Sequence, residues 1–265
     1  MRASLPMYTF DVEANAALWQ AISRALRAEG VADVPDRLDA PDDLFAHWLA
    51  PDLLLSQACG YPLVSHLKQQ VRVVGTFVYG AEGCDGPRYA SAFIAPAGHS
   101  GRELAAFRGG RVAYNATDSQ SGYNCLRFAI APMAAGQPFF AQTIETGAHY
   151  HSLQAILRRD ADLAAIDCVS LAGFLAREPD LAGEIRIVGW SERVPGLPII
   201  TRGLSDPATI AALRRALETV MADTALADVK KRLFIKGFVP LDFEDYAPIA
   251  ALEQAAIAAG YPRLG

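Results

Sequence analysis

The chain has 265 residues, of which 52% are hydrophobic and 20% are charged, and its net charge is -5. This length allows one large α/β domain or two smaller ones, and the composition excludes a disordered chain. The acidic balance argues against nucleic acid as a partner, because phosphate backbones require a basic surface.

Short apolar segments alternate with amphipathic ones along the chain, and we predict strands for the apolar segments. The predicted strands, in chain order, are Ala3–Met7, Asp52–Ser56, Val71–Val78, Arg88–Ala95, Arg111–Tyr114, Phe140–Glu145, Asp162–Ile166, Ile185–Gly189 and Leu197–Thr201. Strands that alternate with helices are typical of an α/β fold, in which helices flank a mostly parallel sheet.

Two of the intervening helices have clear signals. Leu18, Ile22 and Leu26 recur at four-residue spacing and predict one buried helix face. A later helix is predicted to begin with Asp206 as its cap and Pro207 in its first turn, because both residues are favoured at these positions.

Two Pro/Gly-rich breaks, at residues 95–100 and 193–198, interrupt this series. Such breaks often mark domain boundaries or hinges, because they hold few packing contacts. We therefore predict a discontinuous first lobe of residues 1–96 and 195–265, with residues 97–194 inserted as a second lobe. Two hinge crossings would then join the lobes, and a ligand cleft is expected between them.

The polar loop that follows Arg111–Tyr114 has the strongest binding signal. It offers the hydroxyls of Thr117, Ser119 and Ser121, and Gly122 permits a close backbone approach. A helix is predicted to begin near Ser121, and the N–H groups of a helix start attract anions. A plain helix cap explains the serines equally well.

Other polar residues follow predicted strands or open predicted helices. His149 opens a helix, Asp167 ends an apolar strand, and Tyr8 and Gln57 lie at strand ends of the first lobe. Each could face a ligand at the carboxyl edge of a sheet, although capping explains Asp167 as well. The spacing of His149 and His151 does not fit a zinc site, so neither a metal nor a cofactor is predicted.

No common catalytic motif is present, and no catalytic residue is predicted. One enzymatic alternative pairs Cys168, as nucleophile, with His149, as base. Cys59 and Cys84 both lie in Gly-containing loops, and we predict that they can form a disulfide in an oxidising compartment. The first ten residues lack the apolar segment of a signal peptide, which leaves a cytoplasmic location open.

Several short sequence segments, in order along nearly the whole chain, together resemble those of the phosphate-, phosphite- and phosphonate-binding components of ABC importers. They are Ser4–Tyr8, Leu55–Pro62, Arg88–Ser91, Phe107–Val112, Asp118–Tyr123, Thr146–His149, Ala165–Cys168 and Pro195–Pro198. The resemblance implies a two-lobed periplasmic-binding-protein fold. It also implies a monomer that captures a small oxyanion and delivers it to an ABC permease, and it implies a periplasmic location.

The same resemblance implies which residues bind the anion. By position these are Ser119, Ser121, Gly122 and His149, with Tyr8 closing over the ligand from the first lobe. Gln120 and Tyr123 lie within the same Ser-rich segment and complete the predicted ligand set, together with Thr117, Gln57 and Asp167. The alternative function is a cytoplasmic enzyme or sensor of the same fold, acting on a phosphorylated or pyrimidine-like metabolite.

Overall fold

A computed structural model describes residues 1–265, in which twelve strands alternate with helices along the chain. The strands are β1 Arg2–Ser4, β2 Leu53–Gln57, β3 Val71–Tyr79, β4 Arg88–Tyr89, β5 Ser91–Pro96, β6 Arg111–Tyr114, β7 Gln142–Glu145, β8 Leu163–Asp167, β9 Ile185–Trp190, β10 Val194–Pro195, β11 Pro198–Arg202 and β12 Ile235–Val239. Eight of the nine predicted strands match one observed strand to within a few residues, and the predicted strand Arg88–Ala95 is divided into β4 and β5.

The helices vary from one turn to 17 residues. They are α1 Val12–Ala28, α2 Leu44–Trp48, α3 Gly60–Pro62, α4 Cys125–Ala134, α5 His149–Leu157, α6 Cys168–Arg177, α7 Leu181–Glu184, α8 Pro207–Ala222, α9 Ala227–Arg232 and α10 Ala247–Ala258. Short π or 3-10 turns cover Leu63–Leu67, Lys68–Gln70, Leu104–Phe107, Gln120–Asn124, Thr224–Leu226 and Phe243–Tyr246. No helix combines the length and the apolar character needed to cross a bilayer.

The contacts divide the chain into two units, each with its own sheet. Unit 1 contains Met1–Gly80, Asp85–Arg88 and Pro195–Ala247, and unit 2 contains Ala81–Cys84, Tyr89–Val194 and Pro248–Gly265. The second crossing lies between residues 194 and 195, where the sequence analysis also places it. The first crossing lies at residues 80–89 rather than at 96–97, and the C-terminal 18 residues belong to unit 2 rather than to the first lobe.

The first boundary differs because β5 is a strand of the unit 2 sheet, where it pairs with both β8 and β9. The Pro/Gly break after β5 is a turn inside unit 2, in which the N–H of His99 donates to the Pro96 carbonyl over 2.9 Å. Arg186 holds this turn by donating to the carbonyls of Ala97, His99 and Gly101. The break is therefore a stabilised turn, and the chain does not change units there.

The unit 1 sheet has the strand order β1-β2-β11-β3-β12. The two helices with clear sequence signals form as predicted. The N-cap Asp11 accepts from the Ala14 N–H over 2.9 Å at the start of α1, and Asp206 accepts from the Thr209 N–H over 2.7 Å at the start of α8. Strand β12 was not predicted, because Lys236 and Gly237 interrupt its short apolar pattern.

The unit 2 sheet has the strand order β7-β6-β8-β5-β9, and its central strands β6, β8 and β5 are buried. Alternate residues along these central strands enter two separate cores: in β5, Phe93 and Ala95 enter one core, while Ala92 and Ile94 enter the other. Residues near the C-terminus, including Leu264, join the first of these cores. This alternation is the two-residue period of a strand that is buried on both sides.

Both sheets are mixed, so the expectation of mostly parallel sheets is wrong. In unit 1 only β1 and β2 are parallel, because β11 and β12 run opposite to their neighbours β2 and β3. In unit 2 the neighbours β7, β6 and β8 are parallel, while β5 and β9 add two antiparallel pairings. The parallel half of the unit 2 sheet is the part that positions the candidate site.

Candidate functional site

The strands β7, β6 and β8 are adjacent and parallel, so their carboxyl ends lie at one edge of the unit 2 sheet. Asn115 follows β6, Thr146 follows β7, and Asp167 is the last residue of β8. Ligands in open α/β sheets bind at such edges, because the loops and helix starts that follow the strands converge there. Most of the predicted ligand residues lie in these three connections.

The loop after β6 leads into a helix that begins at Gln120 as a π turn and continues as α4. Ser119 is its N-cap, and its Oγ accepts a hydrogen bond from the Gly122 N–H over 3.0 Å. The capping role that the sequence left open for Ser119 is therefore present in the structure. The uninterrupted run from 120 to 134 gives this helix start the positive end of a helix dipole.

Ser121 and His149 are brought together from two different connections. Ser121 Oγ lies 2.8 Å from His149 Nε2, although the residues are 28 positions apart. Ser121 is buried, and His149 is half-buried as the first residue of α5. The other ring nitrogen, Nδ1, is buried and makes no hydrogen bond of standard geometry within the protein. The backbone of Ala165 lies near the ring and raises its pKa slightly, against the larger effect of burial.

Burial lowers the pKa of His149 to about 4. Part of the His149 side chain is accessible, but its ring nitrogen Nδ1 is buried, and a buried nitrogen disfavours the protonated ring and so lowers its pKa. The imidazole is therefore neutral at neutral pH, with one nitrogen as donor and the other as acceptor. A negative charge beside the ring would raise this pKa, because it stabilises the protonated form.

Asn115 is a further candidate site residue, which the sequence alone did not indicate. Its Oδ1 is buried and has no hydrogen-bond partner within the protein. It lies against Gly122, where a side-chain Cβ would come within 1.9 Å of this oxygen. The Asn115 carbonyl also accepts from the Gly147 N–H over 2.8 Å, which joins the connections after β6 and β7.

We call Asn115, Ser119, Ser121, Gly122 and His149 the cradle. It combines a helix start, a hydroxyl, an imidazole and an amide within one unit, and two of its buried polar atoms lack partners within the protein. Buried polar groups are usually hydrogen-bonded, so unpartnered ones point to a ligand. No group of three or more His, Cys, Asp or Glu side chains is placed to hold a metal ion.

The other predicted residues of the Ser-rich segment lie outside the cradle. Thr117 is exposed on a turn. Gln120 Oε1 accepts from Asn124 Nδ2 over 2.7 Å, and the Tyr123 hydroxyl accepts from the Leu264 N–H over 3.1 Å. The side chains of Gln120 and Tyr123 therefore contribute to the interior of unit 2, and ligand contact by these three residues stays a prediction.

Asp167 has the capping role that the sequence analysis considered. It is 2% exposed, and its Oδ1 accepts from the N–H groups of Val169 (2.8 Å) and Ser170 (2.9 Å) at the start of α6. Because two backbone donors occupy this oxygen, the carboxylate has a structural function. Any contact between Asp167 and a ligand stays a prediction.

Two cysteines are neighbours that the sequence analysis did not bring together. All four cysteines are free, and the sulfur 3.4 Å from that of Cys84 belongs to Cys168. A disulfide between Cys59 and Cys84 stays a prediction. The two residues of the enzymatic alternative have other neighbours: His149 Nε2 lies beside Ser121 Oγ, and the Cys168 sulfur lies beside that of Cys84. Sequence spacing could not identify these neighbours, which come from different parts of unit 2.

Tyr8 and Gln57 lie in unit 1, where they share one partner. The Gln57 Nε2 donates to the Tyr79 hydroxyl over 3.0 Å, and the Tyr8 ring meets Tyr79 edge-on with 5.0 Å between centroids. Together with Asn15 they border a cavity of about 10 Å³. Their contact with a ligand stays a prediction of the resemblance.

The sequence matches one family model over residues 50–246, that of the periplasmic substrate-binding proteins of phosphonate ABC transporters. No curated protein matches the chain in sequence. Among solved structures, a binding protein component of an ABC phosphonate transporter from Pseudomonas aeruginosa superimposes with a TM-score of 0.78 at 15% identity, covering 97% of this chain and 87% of that one.

Two further structures are similar. PhnD1 from Prochlorococcus marinus, in complex with methylphosphonate, has a TM-score of 0.74 at 12% identity, covering 95% of this chain and 96% of that one. A protein from Xanthomonas citri, bound to ATP, has a TM-score of 0.71 at 17% identity and 97% coverage of both chains. At these identities the structural likeness shows a common fold, and the ligand of each protein is a property of that protein.

Proposed function

This chain belongs to the family of periplasmic substrate-binding proteins of phosphonate ABC transporters, and we propose that its cradle binds a small phosphorus oxyanion. The family is a substrate-binding component of a transporter rather than an enzyme. The chain would capture the anion and deliver it, chemically unchanged, to an ABC permease. We also propose that it acts as a monomer in the periplasm and binds no nucleic acid, consistent with its net charge of -5.

The observation that carries this proposal is the Ser121–His149 pair beside two buried polar atoms without partners within the protein. A phosphonate group presents three oxygens and a negative charge. The Ser121 hydroxyl, the His149 ring and the first turn of helix 120–134 supply donors of the kind that such oxygens require. An apolar or cationic ligand would leave these donors unsatisfied.

Asn115 suggests which protonation state is bound. Its Oδ1 is a hydrogen-bond acceptor, and in this orientation of the amide it is satisfied next to an anion only if the ligand carries a proton. A singly protonated phosphonate, phosphite or phosphate provides that P–OH group, whereas sulfate carries no proton at neutral pH. We therefore expect phosphorus oxyanions to bind more tightly than sulfate, since sulfate leaves a buried acceptor unpaired.

Thermal denaturation with a panel of anions tests this function. A ligand that binds only the folded state at a hundredfold excess over Kd stabilises it by about 2.7 kcal/mol, which corresponds to a rise in Tm of roughly 5–10 °C. The panel contains methylphosphonate, aminoethylphosphonate, phosphite, phosphate, sulfate and ATP. Mass spectrometry after incubation establishes whether each compound that binds is unchanged.

We expect a phosphorus oxyanion to raise Tm, sulfate to have little effect, and every ligand to be recovered intact. A response to ATP alone would assign the site to a nucleotide and contradict the proposal. Chemical conversion of a bound compound would contradict the transport function. Asn115→Asp is the matched variant: it preserves shape, and its negative charge should abolish the response to anions.

A further inference from the structure

Cys84 and Cys168 are neighbours in unit 2, although they are 84 positions apart in the sequence. Their sulfur atoms lie 3.4 Å apart. A disulfide bond measures about 2.05 Å, so the sulfurs would have to approach by only about 1.4 Å. Rotation of the side chains supplies movements of this size, and the separation is therefore within reach of a covalent bond.

The backbone holds both cysteines in place. The Cys84 N–H donates to the Ala81 carbonyl over 3.1 Å, and the Cys168 N–H donates to the Ala90 carbonyl over 3.2 Å. Gly83, which precedes Cys84, has a φ of +97°, and a Cβ at this position would lie 3.0 Å from the Cβ of Cys168 and 2.7 Å from the Trp190 ring. Segment 81–84 therefore lies closely against the start of α6.

The two thiols differ in accessibility and in acidity. Cys168 is 2% exposed, whereas Cys84 is half-buried. A hydrogen bond from the Cys168 thiol lowers the pKa of Cys84, and the same interaction, together with burial, raises the pKa of Cys168. Cys84 is therefore the thiol that reacts first with an external reagent, because it is both reachable and more readily ionised.

We propose that Cys84 and Cys168 are an oxidation site that forms an intramolecular disulfide with a disulfide-bearing oxidant. The Cys84 thiolate attacks one sulfur of the oxidant, forming a mixed disulfide and releasing one thiolate. Cys168 loses its proton and attacks the Cys84 sulfur, which releases the second thiolate. The two cysteines are oxidised, the oxidant is reduced to two thiols, and the protons of the cysteines pass to those thiols.

The other two cysteines provide an internal contrast. Burial raises the pKa of Cys125 to about 12, and its Sγ donates to the Ser121 carbonyl over 3.1 Å, so it resists oxidation. Cys59 belongs to unit 1, at the start of α3. The periplasmic setting of the family favours the proposed bond, because disulfides persist in that compartment.

Thiol mapping of the full chain tests this inference. The protein is incubated with oxidised glutathione, unfolded, alkylated, and digested for mass spectrometry. We expect a peptide that links Cys84 to Cys168, with two thiols left to alkylate, at Cys59 and Cys125. Reduction should lower Tm by roughly 5–15 °C, because the bond constrains a long loop of the unfolded chain.

Cys84→Ser and Cys168→Ser should each remove this difference in Tm between oxidised and reduced protein, and Cys59→Ser should preserve it. Four alkylated thiols after oxidation, or a Cys59–Cys84 peptide, would overturn the proposal. The mapping uses the unmodified chain, so it decides the question even if a variant fails to fold. It is also independent of ligand binding, and its outcome does not depend on the proposed transport function.

Discussion

Each unit contains a histidine and a buried serine that are joined by a hydrogen bond over a long sequence distance, and the two pairs differ in what surrounds them. In unit 1, His47 Nε2 lies 2.9 Å from Ser4 Oγ, and Ser4 Oγ lies 2.8 Å from Ser56 Oγ, which in turn donates to the Gln57 carbonyl. His47 is only 4% exposed, so this chain of hydrogen bonds is closed to solvent.

In unit 2, the Ser121–His149 pair has almost the same length, 2.8 Å, but it is not part of a closed network. His149 Nδ1 and the nearby Asn115 Oδ1 lack partners within the protein, and the pair lies at a helix start. The comparison shows that residue type and distance alone do not separate a pair inside a closed network from a pair that we propose to bind a ligand. The unsatisfied polar atoms around the pair make that distinction.

The largest expected effect follows from changing Gly122→Ala. The added Cβ would lie 1.9 Å from Asn115 Oδ1 and 3.3 Å from the Asn115 backbone nitrogen, so Asn115 or the helix start must move. We expect the affinity for methylphosphonate, measured by calorimetry, to fall more than about 100-fold. Gly183→Ala is the control in the same unit, because a Cβ there meets nothing within 4 Å. Unchanged affinity in Gly122→Ala would exclude the cradle as the binding site.

Replacing each histidine by alanine tests the comparison directly. His149→Ala should weaken anion binding about 10–100-fold, because hydrogen bonds to charged groups contribute about 1.5–3 kcal/mol. His47→Ala should leave affinity unchanged. It should lower the free energy of unfolding by about 2–4 kcal/mol, because it leaves a cavity and breaks the contact with Ser4. Calorimetry and urea denaturation on both variants separate the two outcomes. If His47→Ala folds fully but loses affinity for the anion, the purely structural role of His47 is contradicted.

The pH dependence of stability gives a third contrast. Burial lowers the pKa of His149 to about 4 and also lowers that of His47, from an ordinary value of 6.5. Between pH 6.5 and 4 these histidines therefore bind more protons in the unfolded chain than in the folded protein, so the free energy of unfolding falls as the pH falls. Above pH 6.5 both histidines are neutral in both states and add nothing to the pH dependence. His149 accounts for at most about 3 kcal/mol of this loss.

A bound anion should reverse the loss of stability in acid that is due to His149, but not the loss due to His47, because the negative charge raises the pKa of the adjacent ring. Urea denaturation between pH 7 and 4.5 should therefore show a smaller acid loss with methylphosphonate than without it. His149→Gln should remove this difference between the two series, and His47→Gln should preserve it. Parallel acid profiles with and without ligand in the unmodified protein would show that the anion is not beside His149.

Local signals in the sequence predicted the elements that depend on local interactions. The cap Asp206 with Pro207 marked the start of α8, and the strand Arg111–Tyr114 has the same bounds in the structure. The approach of Ser121 to His149 could be expected only from the resemblance, because it depends on the order of β7, β6 and β8. No pattern within one segment encodes that order.

Three other features depended on contacts between distant segments. The Pro/Gly break at 95–100 has the sequence pattern of a domain boundary. It is a turn inside unit 2, because Arg186, 85–89 positions away, donates hydrogen bonds to its carbonyls. Cys84 has Cys168 as its neighbour rather than the nearer Cys59. Asn115 is unremarkable in sequence, because asparagine at a strand end usually serves a turn. Its position against Gly122 is the signal that could have identified it, and this requires the structure.

The smallest expected effect separates capping from anion binding at Ser119. Its Oγ accepts from the Gly122 N–H, as Asp206 accepts from Thr209 N–H in unit 1, so Ser119→Ala and Asp206→Ala should each cost about 1 kcal/mol of unfolding free energy. Only Ser119→Ala should also weaken anion binding, by less than about tenfold, because the first helical turn becomes less ordered.

Ser119→Asp sharpens this contrast. The carboxylate can still accept from the Gly122 N–H and favours the positive end of the helix, so unfolding in urea should need at least as much denaturant as in the original protein. The added negative charge should nevertheless weaken methylphosphonate binding more than Ser119→Ala does, because like charges repel at short range. A variant that is fully stable and binds poorly would place the anion at this helix start. Equal affinity in Ser119→Asp and the original protein would mean that the helix start serves unit 2 only as a capped end.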